Sequence, residues 1–326
     1  MIAVTGAAGF IGSCVVWRLN QLGEQDILCV DTHARGDDCA NLTPLTYRGY
    51  VGHDEFLARL RGGSWRGELD CVLHLGACSS TTEGDWAYLE RNNVGYSRDL
   101  CELTLERGAR FVHAGSAATY GDGSRGNGDD HATLRRLEPL NLYARSKHMF
   151  DLWALDRGLL DEIVVLKYFN VYGPNEWHKG PMRSMVCKGY EQIRKTGRVQ
   201  LFKSARAGYP DGGQRRDFIY VKDVVDITLW FRGQPRIGGV FNVGTGRAET
   251  WNHLVLATFR ALGREPRIEY VDIPPAIERC YQYETRADVT KLRAAGCPMR
   301  ITSLDDAVSD YVLGYLVTGR HLGEES

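Results

Sequence analysis

Tyr143 and Lys147 are spaced so that both side chains project from one face of a helix, because four residues make about one helical turn. An ammonium beside a phenol favours the phenolate and lowers the phenol pKa. Such a tyrosine can take or give a proton near neutral pH. The same spacing also occurs in surface helix pairs, so the interpretation depends on the elements that surround this segment.

The chain opens with a glycine-rich turn between a short apolar segment and a helical pattern. Residues 2–4 predict a buried strand, and a helical pattern begins at Phe10. Gly6 allows a tight turn, Gly9 lets the backbone approach a pyrophosphate, and Gly12 lets the helix lie close to the sheet. A helix N-terminus offers unpaired N–H groups and the positive end of its dipole. This order of elements predicts a dinucleotide phosphate site.

A second predicted strand, residues 26–30, places Asp31 about twenty residues after the glycines. A carboxylate at that position accepts hydrogen bonds from ribose hydroxyls and repels a 2′-phosphate. Asp31 therefore favours NAD over NADP, although the nearby Arg35 weakens this argument.

Composition limits the class of protein. The chain has 326 residues, 43% of them hydrophobic and 25% charged, with a formal net charge of −1. We therefore expect no general attraction to nucleic acid or to an anionic membrane. No apolar run is long enough to span a bilayer. Nine scattered cysteines without a Cys-x-x-Cys pair lead us to expect a cytoplasmic protein with no structural metal.

Strand and helix patterns alternate through the first half of the chain, which predicts an α/β fold with a doubly wound parallel sheet (Rossmann) and a smaller α/β substrate lobe. Ser116 falls just beyond the predicted strand 110–114. After Tyr168 the pattern becomes loop-rich as far as Arg216, and we predict that residues 217–221 and 239–243 return to the sheet. The predicted dinucleotide-binding domain comprises residues 1–169 and 216–247. The predicted substrate-binding domain comprises residues 170–215 and 248–326, with helices near 250–262, 287–295 and 303–318.

These motifs, taken in order, resemble the extended short-chain dehydrogenase/reductase family over essentially the whole chain. The matching segments are the glycine turn, His74-Leu75-Gly76-Ala77, Ser116 with Tyr120-Gly121, the Tyr143/Lys147 pair, Tyr172-Gly173-Pro174 and Arg216-Asp217-Phe218. In that family a Ser and a Tyr hydrogen-bond the substrate hydroxyl, and a Lys holds the nicotinamide ribose. The resemblance implies these roles for Ser116, Tyr143 and Lys147.

Within this family the chain is most similar to the ADP-heptose 6-epimerases. Segments 76–83, 116–121, 169–180 and 241–249 carry this closer match. It implies a redox-neutral inversion of C6 of an ADP-heptose by transient oxidation with bound NAD or NADP. In that branch a Lys after Tyr-Gly-Pro serves as the second base, a role that falls here to Lys179. A lysine in such a loop is usually a solvated surface residue, but the surrounding match favours the catalytic role for Lys179.

The resemblance also implies the ligand contacts. The expected cofactor contacts, besides the three glycines, Tyr143, Lys147 and Lys179, are Phe10, Ile11, Asp31, Thr32, Leu75, Gly76, Ala77, Cys78, Ser79, Asn92 and Val171. The expected substrate contacts are Ser79, Ser116, Asn170, Pro181, Lys188, Phe202, Ser204, Arg216 and Tyr281. An Arg suits a diphosphate because its planar fork directs two hydrogen bonds. A homo-oligomer, a pentamer in this family, is expected as well.

The chain departs from the family at several positions. Asp38 and His53 stand where the family has basic residues that help to hold a 2′-phosphate, which strengthens the case for NAD. Pro181 and Lys188 replace a Ser and a His of the sugar pocket. These changes affect the sugar and nucleotide contacts more than the reaction type. The pathway, lipopolysaccharide core assembly or a specialised metabolite, stays open.

Three other functions share parts of this pattern. A nucleotide-sugar 4,6-dehydratase places Asp-Glu after the strand that ends in Ser, whereas this chain has Ala117-Ala118-Thr119. A nucleotide-sugar 4-epimerase uses the same Ser, Tyr and Lys but calls for no second base at Lys179. A non-catalytic redox sensor that binds a dinucleotide typically loses the Tyr or the Lys, and both are present here.

Overall fold

The computed structural model describes residues 1–32, 39–274 and 281–324. Within these ranges the strands, numbered along the chain, are β1 (Ile2–Thr5), β2 (Ile27–Asp31), β3 (Gly49–Gly52), β4 (Cys71–His74), β5 (Arg110–Ser116), β6 (Val164–Tyr168), β7 (Asn170–Tyr172), β8 (Val199–Phe202), β9 (Arg215–Arg216), β10 (Phe218–Tyr220), β11 (Gly239–Val243), β12 (Glu249–Thr250) and β13 (Ile268–Val271).

The α-helices in the same ranges are α1 (Phe10–Gln21), α2 (His53–Arg61), α3 (Trp86–Leu89), α4 (Tyr96–Leu105), α5 (Leu142–Asp156), α6 (Met185–Thr196), α7 (Val221–Arg232), α8 (Trp251–Ala261), α9 (Thr290–Ala294) and α10 (Leu304–Tyr311). A π-helical segment, Glu90–Gly95, joins α3 to α4. These three consecutive segments form one helical stretch that is widened in its middle. A short 3₁₀ segment, Trp177–Met182, precedes α6.

Seven parallel strands form the central sheet in the order β11-β6-β5-β4-β1-β2-β3. The chain leaves β1 toward β2 and β3 on one side and returns to β4, β5 and β6 on the other. The gap between the carboxyl ends of β1 and β4 is thus the point where the strand order reverses, which is where α/β sheets of this kind bind ligands. The predicted doubly wound parallel sheet is confirmed.

Helices cover both faces of the sheet. On one face Val15 of α1 and Val224 of α7 lie in one buried apolar cluster. On the other face Leu60 of α2, Leu100 of α4 and Phe150 of α5 lie in a second. Because both faces are covered, the inner strands are buried along their whole length, as β1 and β4 are.

Two predictions about the second half of the chain are wrong in detail. Strand β10 does not return to the central sheet but pairs with β7 in a separate two-stranded sheet. The stretch predicted to be loop-rich contains a regular helix, α6. Ser184 caps its N-terminus, and Gly197 ends it in the left-handed region that favours glycine. Strand β11 does join the sheet, next to β6, as predicted.

A smaller lobe is built around β8, which pairs in parallel with β13. Its buried apolar core comprises Ile193, Val199, Leu201, Val255 and Phe259. This arrangement agrees with a substrate lobe, while the exact domain boundaries stay a prediction. None of the helices in the described ranges is both long and apolar enough to cross a bilayer.

Candidate active site

The glycine turn between β1 and α1 is closely packed. Gly6 has φ +66°, and a Cβ there would lie 2.7 Å from Gly76 at the end of β4. A Cβ at Gly12 would lie 2.0 Å from the carbonyl oxygen of Gly6. Gly9 caps α1 without a side-chain hydrogen bond, and the first turn of the helix holds no acidic residue. The N-terminal N–H groups of α1 are therefore available to an anion, and the turn fits a pyrophosphate.

Asp31, at the end of β2, is held against this turn. Its Oδ2 atom accepts a hydrogen bond from Ala8 N at 2.9 Å, and its Oδ1 atom accepts one from Thr32 N at 2.7 Å. The carboxylate thus lies at the carboxyl edge of the sheet, beside the cavity. His53 lines the same cavity. The prediction for Asp38, like that for Arg35, falls outside the described residues.

The segment after β4 forms the opposite wall of this gap. Its residues Leu75, Gly76, Ala77, Cys78 and Ser79 all line the cavity. Thr5 Oγ1 accepts a hydrogen bond from Gly76 N at 3.1 Å and shares one with His74 Nδ1 at 2.6 Å. These bonds fix the ends of β1 and β4 to each other.

Asn93 is a positioning group that the sequence interpretation missed. It is fully buried in the π-helical segment, where its Oδ1 accepts from Cys78 N at 2.8 Å and its Nδ2 donates to Cys78 O at 3.0 Å. Its Nδ2 also donates to Ser146 Oγ of α5 at 2.9 Å. Asn92, the predicted contact, lines the cavity and donates to Tyr88 O. The adjacent Asn pair was the available signal, but the sequence alone did not show which of the two faces inward.

Tyr143 and Lys147 lie on the first turns of α5, which Asn141 caps by accepting from Ala144 N at 2.8 Å. Tyr143 is half-buried at the cavity wall, and Ser116 at the end of β5 hydrogen-bonds its phenol. Lys147 is only 3% exposed, and its Nζ donates to Ala114 O at 3.0 Å. The spacing therefore brings the three predicted groups to one place.

The electrostatics of this trio differ from the prediction. Burial raises the pKa of the Tyr143 phenol, and the hydrogen bond from Ser116 offsets this only in part. The lowered phenol pKa expected from Lys147 is therefore wrong in this structure. Burial also lowers the pKa of Lys147 to about 8, so the ammonium that was to stabilise the phenolate is itself weakened.

Lys179 lies in the 3₁₀ segment after β7 and lines the same cavity. Its Nζ lies 4.9 Å from the centre of the Phe10 ring, at the glycine turn. Burial lowers the pKa of this amine, while the neighbouring Glu176 carboxylate raises it. Glu176 is itself fully buried and accepts hydrogen bonds from Ser184 N and Tyr311 Oη. The loop is thus anchored, and Lys179 is directed inward rather than into bulk solvent.

The cavity has a volume of about 1790 Å³ and extends from the glycine turn to the smaller lobe. On the lobe side Lys188 Nζ donates to Pro181 O at 3.0 Å, and the rings of Phe202 and Tyr281 meet edge to face. The predicted contacts on this wall are Asn170, Val171, Pro181, Lys188, Phe202 and Tyr281, all of which line the cavity.

Two predicted substrate contacts, Arg216 and Ser204, do not line the described cavity. Arg216 is buried behind it, with its guanidinium 5.2 Å from the Tyr281 ring centre and 5.8 Å from that of Trp251. Among the described residues no carboxylate forms an ion pair with it. Ser204 Oγ donates to Arg206 O at 2.9 Å within a turn. For Arg216 or Ser204 to contact a bound substrate, its side chain would have to move. Every other predicted site residue lines the cavity.

The sequence model of the NAD dependent epimerase/dehydratase family matches residues 2–244. The chain belongs to this family. As a family member it is an enzyme, so the interpretation as a non-catalytic redox sensor is not supported. The strand–turn–helix cradle, Asp31 and the Ser116, Tyr143 and Lys147 group are what a dinucleotide-dependent sugar enzyme needs at this edge of the sheet.

Similar proteins and solved structures define the likeness further. A curated relative from Nitratidesulfovibrio vulgaris (strain DP4), named ADP-L-glycero-D-manno-heptose-6-epimerase, is 54% identical over 316 residues, covering 97% of this chain and 98% of the relative. The structure of ADP-L-glycero-D-manno-heptose-6-epimerase from Helicobacter pylori has a TM-score of 0.80 at 24% identity, covering 95% and 94% of the two chains. The structure of UDP-glucose 4-epimerase from Thermus thermophilus complexed with NAD has a TM-score of 0.74 at 25% identity, covering 95% and 97%. The first of these confirms the resemblance seen in the sequence, and the structures confirm the fold.

Proposed function

We propose that this chain inverts C6 of an ADP-heptose, converting ADP-D-glycero-D-manno-heptose to ADP-L-glycero-D-manno-heptose. The observation that carries the proposal is that Tyr143 and Lys179, from separate elements, line one cavity together with the glycine turn, with the Lys179 amine close to Phe10. Inversion of a carbinol needs a proton acceptor and donor for each of two substrate orientations. The name of the relative at 54% identity supports the choice of sugar nucleotide.

The residues at the sheet edge fit the dinucleotide. Gly6, Gly9 and Gly12 with the N-terminus of α1 would hold the pyrophosphate, and Asp31 and Thr32 would accept and donate hydrogen bonds at the ribose. A bound oxidised nicotinamide supplies the redox chemistry, a reversible hydride exchange with C6, and a positive charge over the cavity. The segment 75–79 and Asn92 would line the rest of the cofactor.

Tyr143 would exchange the proton of the C6 hydroxyl in one orientation, while Ser116 orients that hydroxyl through a hydrogen bond. The raised pKa of Tyr143 keeps its phenol protonated on its own. Positive charge near the phenol, from the cofactor and from Lys147, favours the phenolate and makes it a base. Lys147 would also donate to the nicotinamide ribose.

Lys179 would serve the other orientation, in which the opposite face of the C6 ketone is presented. Burial lowers the pKa of its amine, so the neutral base is more populated than in an exposed lysine. The wall formed by Asn170, Pro181 and Lys188 would contact the sugar. The nucleoside diphosphate would lie toward Phe202, Tyr281 and Ser204, where the buried Arg216 offers a directed fork to a phosphate.

The finer assignments follow from the same residues and from the family resemblance. NAD is favoured over NADP because Asp31 occupies the place where a 2′-phosphate would lie. A cytoplasmic location and a homo-oligomer, a pentamer by resemblance, stay predictions. Light scattering on the purified protein would measure the assembly.

The deciding experiment is incubation of the enzyme and NAD with ADP-D-glycero-D-manno-heptose, followed by proton NMR at C6. We expect conversion to the C6 epimer, and approach to the same mixture from the L-glycero compound. The Tyr143→Phe variant should epimerise roughly 100-fold or more slowly. Tyr190→Phe is its control, because this buried phenol lies away from the cavity lining and pairs with Arg194.

The alternatives give different products in the same experiment. A 4-epimerase would shift the C4 signals and leave C6 unchanged, and a dehydratase would release water and give a deoxy ketone. The 3₁₀ segment Ala117–Tyr120 after β5 carries no carboxylate to catalyse dehydration. Either product, or full activity in Tyr143→Phe, would overturn the proposal.

A further inference from the structure

Asn41 lies at the cavity between the glycine turn and the Lys179 loop, and only 3% of its surface is exposed. It belongs to none of the sequence motifs described above. A buried amide must place its donors and acceptor on partners, and the choice of those partners shows what it holds together.

The contacts of Asn41 reach three separate parts of the chain. Its Nδ2 donates to Ala8 O at 3.1 Å and to Asn175 O at 3.1 Å, and His178 Nδ1 lies 3.2 Å from the same nitrogen, where it competes with these carbonyls for the two N–H groups. Its Oδ1 accepts a hydrogen bond from His321 Nδ1 at 2.8 Å. One side chain therefore joins the glycine turn, the residues immediately before Lys179, and the C-terminal segment.

Ala8, the first of these partners, is held through both its backbone N–H and its backbone carbonyl. Its N–H donates to the Asp31 carboxylate at 2.9 Å, and its carbonyl receives Asn41. A dinucleotide bound between the turn and Asp31 would lie beside this residue. Any shift of the Ala8 carbonyl is then passed to the Asn41 amide.

The second set of partners places Lys179. Asn175 has φ +73°, a left-handed conformation that needs support in a residue other than glycine. Its own side chain donates to Ser13 Oγ of α1 at 3.0 Å, and its Oδ1 accepts from Leu322 N at 2.9 Å. His178 immediately precedes Lys179. The loop that carries the second base is thus fastened to the nucleotide turn through Asn41.

We infer that Asn41 is a positioning residue that couples dinucleotide binding at the glycine turn to the placement of the Lys179 amine. The inference rests on the proposed function and adds a regulation of the same site to it. Coupling of this kind is reciprocal, so the loop also supports the turn. Asn41 touches neither reacting atom and acts through its partners.

The first test measures the reactivity of Lys179 without turnover. The protein is treated with acetic anhydride, with and without NAD, and the acetylation rate of Lys179 is followed by peptide mass spectrometry. In the parent we expect NAD to slow acetylation of Lys179. In Asn41→Ala we expect this protection to fall roughly tenfold, a usual size for coupling between two sites.

The matched control is Asn20→Ala. Asn20 also ties loop carbonyls together, donating to Glu24 O at 3.0 Å and Thr46 O at 2.8 Å, but it lies at the far end of α1. We expect NAD to slow acetylation of Lys179 in Asn20→Ala as much as it does in the parent. Asn41→Asp is the second variant, because it keeps the size of the side chain and removes the donor toward Ala8 and Asn175. If Asn41→Ala fails to fold, Asn41→Asp must show the same loss of protection.

The second test compares the two half-reactions. Each C6 epimer is mixed with the NAD-loaded enzyme, and the absorbance of the reduced nicotinamide is followed in a single turnover. We expect Asn41→Ala to slow reduction of the nicotinamide by the Lys179-dependent epimer about 100-fold, as misplacement of a catalytic group does. The rate with the Tyr143-dependent epimer should stay within a few-fold of the parent rate. A purely structural defect would slow both epimers alike.

Lys179→Met separates failure of this inference from failure of the proposed function. If Lys179→Met slows neither epimer or both equally, the proposed function fails. If it slows one epimer and Asn41→Ala does not, or if NAD protection is unchanged in Asn41→Ala and Asn41→Asp, the inference about Asn41 alone is overturned.

Discussion

The Nζ atom of Lys179 lies 4.9 Å from the centre of the Phe10 ring, so the second candidate base faces the first residue of the helix that begins at the glycine turn. A cation over an aromatic face is stabilised by about 0.5–2 kcal/mol, depending on burial. The contact therefore favours the ammonium, whereas the burial of the side chain opposes it. The net direction is a lowered pKa.

The lowered pKa of Lys179 predicts how one half-reaction depends on pH. The neutral amine is the base, so reduction of the bound nicotinamide by the Lys179-dependent epimer should rise with pH and level off below the ordinary lysine pKa of about 10.4. In Lys179→Met the rise in rate with pH should disappear for this epimer, while the pH dependence of the rate with the other epimer should stay as in the parent. Single-turnover absorbance across pH measures this, and Lys195→Met, an exposed lysine on α6, is the control. Identical profiles for both epimers in the parent would contradict the assignment.

The Asp31 carboxylate predicts the choice of cofactor. Like charges a few Å apart near a surface repel by on the order of a few kcal/mol, so the parent should bind NAD more tightly than NADP. Asp31→Asn keeps an acceptor for Ala8 N and should raise the NADP-to-NAD affinity ratio by at least about tenfold. Asp226→Asn, which removes an exposed carboxylate on α7, should leave the ratio unchanged. A large preference of the parent for NADP, measured by calorimetry, would overturn this interpretation.

Much of the fold and site could be predicted from local spacing. The glycine turn, the strand end at Ser116 and the i, i+4 pair of Tyr143 and Lys147 are short-range patterns, and the structure places them as predicted. Lys179 could be named only through family resemblance, because no local pattern distinguishes it from a surface lysine. Its partner Phe10 is distant in the sequence.

The parts that could not be predicted depend on long-range packing. Asn41 and Asn93 are ordinary polar residues until the fold buries them, and their partners lie in separate segments. The phenol pKa of Tyr143 was predicted in the wrong direction because spacing shows the ammonium but not the desolvation. Helix α6 had visible signals in Ser184 and Gly197, which the Gly and Pro content of the flanking loops obscured.

The glycine turn predicts a sharp contrast between two substitutions. Gly12→Ala places a Cβ 2.0 Å from Gly6 O, which must move α1 away from the turn. Gly23→Ala meets no atom within 4 Å but adopts φ +81°. Both should lower the free energy of unfolding by about 1–3 kcal/mol. Only Gly12→Ala should weaken NAD binding by more than about tenfold. Equal NAD affinity in the two folded variants would show that the turn does not hold the cofactor.

A buried ion pair behind the catalytic helix predicts strong coupling. Lys167 of β6 bonds to Asp151 of α5, and both side chains are fully buried. Lys167→Met leaves the buried Asp151 carboxylate with only His148 Nδ1, 3.6 Å away, as a possible partner, and should lower the free energy of unfolding by about 3 kcal/mol. Adding Asp151→Leu should recover much of that loss, which urea unfolding of the single and double variants measures. Additive effects would show that the pair does not stabilise the fold through its charges.

Lys147 predicts a pH dependence of stability whose sign can be worked out. Its pKa is lowered to about 8 by burial, from 10.5, so the unfolded chain binds the proton more tightly than the folded chain between these values. Stability contributed by this group therefore rises with pH across that window and is lost as pH falls from 10.5 to about 8. Lys147→Met removes the titration. The free energy of unfolding of the variant minus that of the parent should be roughly 3 kcal/mol more positive at pH 7 than above pH 10.5.

The comparison between two pH values cancels the pH-independent change caused by losing the hydrogen bond to Ala114 O. Lys195→Met, in which the lysine is exposed, should show no such difference. Urea unfolding at both pH values provides the free energies for each variant and the parent. If the difference between Lys147→Met and the parent is the same at both, the ammonium of Lys147 is fully compensated in the fold. Its availability as a proton donor at the nicotinamide ribose would then extend well above pH 8.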